Sequence, residues 1–349
     1  MTKMLMEPVR DGSAWTVEDL RRDASWMYTL TPAEVDELDQ ALNCVRRLGI
    51  TMTDMTRRNF PLPQFGQFLA AVPDTIENGR GFVVLRGIPV ERYNEEEVAL
   101  LFYGIGTHLG PAISQNARGD VLTKVTDRRV GKWGEPTVRG YQTRDWLSFH
   151  TDNADAVALL VVRQAKQGGT SLLTSATSVY NQILAHHPEH LERLYRGYVY
   201  HLRGEGRPEL NNQTDHPIPI FSYHAGKLSC RYVRASIELG AEVSGRPLTS
   251  DDVTLLDLID RLAVCEDLCL REDFAPGDIQ IVSNHSLLHA RTHFEDFEEA
   301  ARKRLLLRLW VNLENGRPLA DDFADRFGPG TGRLGIPAFA DASNLVPPG

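Results

Sequence analysis

From Asp120 onward the chain breaks into short apolar runs with no regular strand–helix alternation between them. VLTKV, ALLVV, SLLTS, YVYHL, IPIFSY, LSCRYV, LCLRE, DIQIVS and LLLRLWVNL each have the length of a strand. A doubly wound parallel sheet needs a crossover helix after nearly every strand, so this pattern argues against one. It fits antiparallel sheets closed into a sandwich or jelly-roll barrel, a mainly β fold with decorating helices (α+β). His224-Ala225-Gly226-Lys227 reads as a hairpin loop, and Pro276-Gly277-Asp278 as a turn that launches the next strand.

Residues 1–80 read differently, as a helical extension packed on the core. Thr31, Pro32 and Glu34 form a capping box at the start of a helix, Val35, Leu38, Leu42 and Val45 supply its apolar stripe, and Gly49 stops it. A shorter helix is expected around Phe65–Ala71. Two further helices follow, NEEEVALLFYGIGTHLG and TSDDVTLLDLIDRLAV, the latter capped by Thr249 or Ser250. GFVVLRGIP, from Gly81, is a compact buried strand. The core is expected over 81–313, and the tail 314–349, rich in Gly, Pro and Asp, as irregular.

The totals exclude several classes. Lys plus Arg number 38 and Asp plus Glu 47, a net charge of −9 with no basic stripe, which argues against a nucleic-acid partner. No stretch approaches the roughly 18 apolar residues of a membrane span, and MTKMLMEPVRDGSAW lacks the apolar core of a signal peptide. The four cysteines, Cys44, Cys230, Cys265 and Cys269, are too scattered for a disulfide framework, so a cytoplasmic location with reduced, largely buried thiols is expected. A homo-oligomer remains open.

A histidine stands two residues before an acidic residue four times: His150/Asp152, His187/Glu189, His190/Glu192 and His293/Glu295. Residues i and i+2 share a face on a strand and take nearly opposite faces on a helix. His187 and His190 lie at the solvated ends of two short helices broken by Pro188, and His293 in the acidic loop HFEDFEEAARK. Only His150/Asp152 follows an aromatic, strand-like segment, YQTRDWLSF. With His289 it makes two imidazoles and one carboxylate, the donor set that holds non-haem iron(II) and leaves positions open.

RKRLLLRLWVNL alternates strictly if it is a strand. Leu305, Leu307, Leu309 and Val311 face one way; Arg304, Leu306, Arg308, Trp310 and Asn312 face the other. If the arginine face lines a barrel interior, its charges need an anion. If the strand is exposed, nearby Asp or Glu would pair with them. The pattern alone leaves both open.

Taken together, GFVVLRGIP, SQNARGD, RGYQTRDWLSFHTDNAD, GGTSLLTSATSVYNQI and GDIQIVSNHSLLHARTHFED followed by RKRLLLRLWV resemble the taurine dioxygenase/clavaminate synthase-like superfamily of Fe(II)- and 2-oxoglutarate-dependent oxygenases. The resemblance runs from about Gly81 to Asn312 and implies a double-stranded β-helix core. It implies His150, Asp152 and His289 as iron ligands, the match to Leu-His-Ala-Arg favouring His289 over His285 four residues earlier. Arg304 would pair with the distal carboxylate of 2-oxoglutarate, and Arg308 with co-substrate or substrate. Ser171, or its neighbour Thr170, would supply a hydroxyl to the co-substrate. The implied reaction consumes O₂ and 2-oxoglutarate, releases succinate and CO₂, and hydroxylates an unactivated C–H bond of a small molecule, with desaturation or ring closure as variants. Asp152 argues against halogenation, since halogenating relatives carry a small residue there.

Gln115, Asn116, Arg139, Tyr141, Gln142, Trp146 and Asn153 are candidates to reach the substrate. Arg139 and Arg308 suit an acidic one, and Trp133, Trp146 and Trp310 a larger apolar one. Two other readings use the same residues: a jelly-roll hydrolase or isomerase with Zn(II) or Mn(II), and a non-catalytic ligand-binding barrel. Arg304 discriminates, because only the oxygenase needs an anion clamp beside the metal.

Overall fold

The structure, a computed structural model, describes residues 4–132, 135, 138–206, 212–327, 330 and 332–338. Strand alternation organises it. Along Leu305–Val311, Leu305, Leu307, Leu309 and Val311 pack into one apolar cluster beneath the helices, while Leu306, Arg308 and Trp310 turn to the opposite face. The neighbouring strands obey the same rule. Ala156, Ala158, Leu160 and Val162 point outward from Ala156–Arg163, as Ile279 and Ile281 do from Ile279–Ser283. Val157, Leu159, Val161, Gln280 and Val282 point inward.

These strands belong to a six-stranded sheet ordered Met27–Thr29, Phe82–Arg86, Ile279–Ser283, Ala156–Arg163, Leu305–Val311, Leu122–Val125. A four-stranded sheet runs Cys269–Glu272, Ser171–Ser175, Leu287–Arg291, Leu147–His150. Every pairing in the two is antiparallel except that of Met27–Thr29 with Phe82–Arg86. The small sheet alternates as well: Leu172, Leu288 and Ala290 join an outer cluster with the helices Ala176–His186 and Ser250–Ala263. Leu173 and Leu287 meet Phe82, Val157, Val282 and Trp310 of the large sheet in an inter-sheet core. The mixed α+β jelly roll expected from the strand pattern is the fold observed.

The helices follow their capping signals. Pro32–Leu48 starts with the Thr31/Glu34 capping box and ends at Gly49 in the left-handed conformation (φ 64°). Asn94 caps Glu95–Gly106 and Thr249 caps Ser250–Ala263. The hairpin at His224–Lys227 turns through Ala225 and Gly226, both at positive φ (48° and 81°).

Four expectations need correction. The helix at Phe65 runs on to Glu77 through Pro73, because burial of Val72 and Ile76 outweighs the donor that proline lacks. The N-terminal extension is not purely helical, since Met27–Thr29 adds a parallel edge strand. YVYHL forms only isolated bridges, Tyr198 with Ile218 and His201 with Gln213. His293/Glu295 adjoins a short strand, Phe294–Glu295, paired with Gln167–Gly168. Of the thiols, Cys230 and Cys269 are buried, Cys44 is half-buried and Cys265 is exposed. Among the described residues no helix is long and apolar enough to cross a membrane.

The tail has a short helix, Asp321–Ala324, and packs firmly. Phe327 and Ile336 enter the inter-sheet core. Arg317 Nε donates to Glu77 Oε1 at 2.7 Å, with both side chains only 3% exposed. Removing one member of such a pair leaves a buried charge uncompensated. Glu77→Ala is therefore expected to cost about 3–5 kcal/mol, read as a lowered midpoint in urea denaturation at unchanged slope.

Candidate active site

His150 ends the strand Leu147–His150, and in the antiparallel register its partner is His289 in Leu287–Arg291. Their rings lie 4.2 Å apart between centroids, tilted by 51°. Asp152 stands just past the strand, its backbone N–H donating to Asn284 Oδ1 at 2.9 Å. The Trp310 indole donates to Asp152 Oδ2 at 3.0 Å, and Arg308 Nη1 lies 3.7 Å from Oδ1. One donor atom each from His150, Asp152 and His289 lies within 4.8 Å of the others.

The electrostatics suit a cation. Burial lowers the pKa of His150, and takes that of His289 down to about 3, so both rings are neutral near pH 7 with a lone pair to offer. Burial would raise the Asp152 carboxyl, but the charge on Arg308 and the Trp310 indole N–H pull it the other way, and the net shift is downward, so it stays ionised near pH 7. His150 Nδ1 lies 2.8 Å from the Ser148 carbonyl, which places the proton there and leaves Nε2 as the free donor. His289 Nε2 sits 3.7 Å from Asp152 Oδ2, too far for a hydrogen bond, and its Nδ1 has no partner among the described residues. Two neutral imidazoles and a carboxylate aimed at one point fit iron(II).

A cavity of about 310 Å³ opens from this point. Arg304 and Arg308 both line it, with Ser171, Thr170, Gln280 and Arg291. The interior-face reading of the arginine strand is the one observed, with Arg304 placed just ahead of the strand. Burial pulls the Arg304 guanidinium down to about 9, with Arg291 adding to the shift, and its Nη1 is buried without a partner among the described residues. Gly169, at φ +80°, makes room for it, since a Cβ there would meet Arg304 Nε at 3.1 Å. Ser171 Oγ donates to Gln280 Oε1 at 3.1 Å, leaving Gln280 Nε2 buried and unpartnered among the described residues. Thr170 exchanges contacts with Thr292 through its backbone. An unpartnered guanidinium nitrogen on Arg304 and an unpartnered amide nitrogen on Gln280, lining one cavity with three residues that could hold a metal ion, make a fitting seat for a small diacid chelator.

The other candidates divide. Gln115 is engaged on every side: Nε2 donates to the Val121 and Arg308 carbonyls, and Oε1 accepts from Thr123 Oγ1 and from Arg308 Nε at 2.8 Å. It holds Arg308, which lies 4.5 Å over the Tyr141 ring and 5.0 Å from that of Trp310. Asn116 belongs to a turn with Arg118 and Asp120. Gln142 accepts from the Arg139 backbone, buried outside both cavities that meet at the triad. Arg139 and Asn153 line a second, smaller cavity, where Asn153 Oδ1 accepts from Arg231. Trp146 is 41% exposed, and Trp133 lies outside the described residues. His285 is taken by Asp155 at 3.0 Å, and Cys265 and Cys269 join no cluster of donors among the described residues. His187, Glu189 and His190 do come together, half exposed between two helices.

Sequence reasoning missed Gln280, Arg291, Arg203, Glu205 and Arg326. The first two had a signal, as polar residues on the inward phase of apolar strands. The last three sit in irregular segments whose partners are distant in the chain.

With this geometry in hand, comparison decides the family. Residues 47–310 match the family profile described as "Taurine catabolism dioxygenase TauD, TfdA family". The chain belongs to the TauD/TfdA family. It is a non-haem iron, 2-oxoglutarate-dependent dioxygenase, as expected. Among relatives, FR-33289 synthase of Streptomyces rubellomurinus is 33% identical over 91% of this chain and 94% of its own length. The taurine hydroxylase-like protein SAT17 of Stachybotrys chartarum is 28% identical over 92% and 82%. Solved TauD/TfdA-like folds superpose well. An asparagine oxygenase in complex with Fe(II), 3-hydroxyasparagine and succinate has a TM-score of 0.64 at 18% identity, covering 82% of this chain and 93% of its own. The oxygenase OrfP with Fe and α-ketoglutaric acid has a TM-score of 0.60 at 15% identity, covering 82% and 94%.

Gln115→Leu keeps the volume but strips Arg308 Nε and Thr123 Oγ1 of their acceptor. It also leaves the Val121 and Arg308 carbonyls without their donor, and the expected cost is about 2–3 kcal/mol of stability, seen as a fall in thermal midpoint.

Proposed function

We propose that His150, Asp152 and His289 hold the iron(II), and that Arg304 pairs with the distal carboxylate of 2-oxoglutarate with Ser171, Thr170 and Gln280 beside it. The observation that supports this most is the Arg304 Nη1, buried without a hydrogen-bond partner among the described residues, in a guanidinium that lines the same cavity as the three converging donors. When bound, iron with 2-oxoglutarate and O₂ supplies the oxidising power that hydroxylates a C–H bond, with succinate and CO₂ released.

The protein's own part is orientation and exclusion of water. His150 is fixed by its bond to the Ser148 carbonyl, and Asp152 by the Trp310 indole. Arg308, braced by Gln115, keeps Asp152 ionised without a direct hydrogen bond, so the carboxylate stays available to metal. Ser171 and Gln280 form a hydrogen-bonded pair on the cavity wall, and the unpartnered Gln280 Nε2 is the donor we assign to a co-substrate carboxylate. Leu159, Val161 and Leu306 provide an apolar wall. No side chain here is placed as a general base, and none is required. Arg139 and Asn153 are the proposed contacts to a small-molecule substrate, whereas Gln115 and Gln142 serve as supports. Family membership leaves the hydrolase and binding-barrel alternatives without support.

Succinate should form when the protein is given Fe(II), ascorbate, O₂ and 2-oxoglutarate, slowly even without prime substrate. His150→Ala is expected to abolish it; turnover that survives this change contradicts the ligand assignment. Arg304→Gln should raise KM for 2-oxoglutarate at least about 30-fold, the equivalent of ~2 kcal/mol for a buried charge-assisted contact. An unchanged KM would remove Arg304 from the co-substrate site.

A further inference from the structure

The smaller cavity, about 100 Å³, shares His150, Asp152 and Arg308 with the larger one. A molecule within it therefore lies against the candidate iron site, on another side from the co-substrate cavity. Its walls are cationic, in a chain whose net charge is −9. Arg139 donates to the Arg203 carbonyl at 2.8 Å and pairs with Glu205 at 2.7 Å. Arg326 has a buried Nε without a hydrogen-bond partner among the described residues, and its guanidinium lies 5.5 Å from the Tyr200 and Phe327 rings. Glu205 is the one carboxylate besides Asp152 among the described residues lining this space.

The charge balance says what belongs there. This step rests on the iron and co-substrate assignment above. The iron dication, Asp152, the 2-oxoglutarate dianion and Arg304 together are neutral. Among the described residues lining the smaller cavity, Arg139, Arg308 and Arg326 then face Glu205, three guanidiniums against one carboxylate, while Arg203 turns its Nη1 to the Glu135 and Val138 carbonyls. Two positive charges in a largely buried space remain to be compensated. Solvent does so poorly there, and guanidinium forks suit oxyanions.

We propose that the cavity takes the anionic headgroup of the substrate, and that this headgroup is a small doubly charged oxyanion, either a phosphoryl group or a closely spaced dicarboxylate, seated between Arg139 and Arg326. Leu147, Val233, Trp310 and Phe327 supply apolar surface for a short carbon skeleton. Because His150 and Asp152 form part of the same wall, the carbon that is oxidised lies within a few bonds of the headgroup.

The test is calorimetric titration of the protein loaded with Zn(II), which does not turn over, and saturating 2-oxoglutarate. The probes are methylphosphonate, malonate, methanesulfonate and acetate at about pH 8.5, above the second ionisation of a phosphoryl group. One dianion should bind at least about ten-fold more tightly than either monoanion, and which one names the headgroup. Arg139→Gln and Arg326→Gln should each weaken it about ten-fold or more. Equal affinities for monoanions and dianions, or dianion binding indifferent to both cavity substitutions, overturns the proposal in the wild-type protein or in the variants respectively. If 2-oxoglutarate itself fails to bind, the co-substrate assignment falls. The same titrations without it, run on the wild type, Arg139→Gln and Arg326→Gln, then still decide: a dianion preference that both substitutions weaken supports the headgroup site, and one indifferent to them, or none at all, overturns it.

Discussion

The antiparallel pairing of Leu147–His150 with Leu287–Arg291 sets His150 opposite His289, and the rest of the site is arranged around that cross-strand pair. A slip of one residue would turn His289 outward into the apolar cluster of Leu288 and Ala290 and bring a leucine or alanine inward. The register is held from both sides. Leu287–Arg291 is also paired with Ser171–Ser175, which brings Ser171 opposite Arg291. The same pairings that build the small sheet thus place His150, His289 and Ser171, the proposed metal donors and co-substrate hydroxyl of this sheet, on one inner face.

That inner face is a compromise between stability and chemistry. One end, around Phe82, Leu173, Leu287 and Trp310, is a dry core. The other carries Arg291, Arg304 and Arg308, all less than 9% exposed. Arg291 satisfies part of its fork on the Thr143 and Asp145 carbonyls, and Arg308 leans on Gln115 and two aromatic rings. Arg304 keeps a donor with no partner among the described residues, a cost that a folded chain carries where a ligand relieves it. The tail joins in on the other side: Arg317 anchors it to Glu77, and Arg326 and Phe327 close the smaller cavity.

Much of this was legible in the sequence where the signal is local. The period of two in RKRLLLRLWVNL separated the core leucines from the arginines, and the structure keeps that partition through Trp310. The capping boxes at Thr31 and Thr249 set two helix starts. Legibility failed where long-range contacts decide. Met27–Thr29 becomes a strand only because Phe82–Arg86 lies beside it, and YVYHL lacks a partner long enough for a ladder. Gln115 and Arg139 looked equivalent as polar residues near the motif. Only the packing shows that one braces Arg308 and the other faces a cavity.

The central claim is that metal and diacid occupy one continuous site, so each must strengthen the other's binding by the same factor. Anaerobic titration of 2-oxoglutarate into metal-free and Fe(II)-loaded protein measures this directly. The account predicts an affinity at least about ten-fold higher with the metal, and loss of that gain in His289→Ala. An affinity for 2-oxoglutarate that is the same with and without Fe(II) would contradict it.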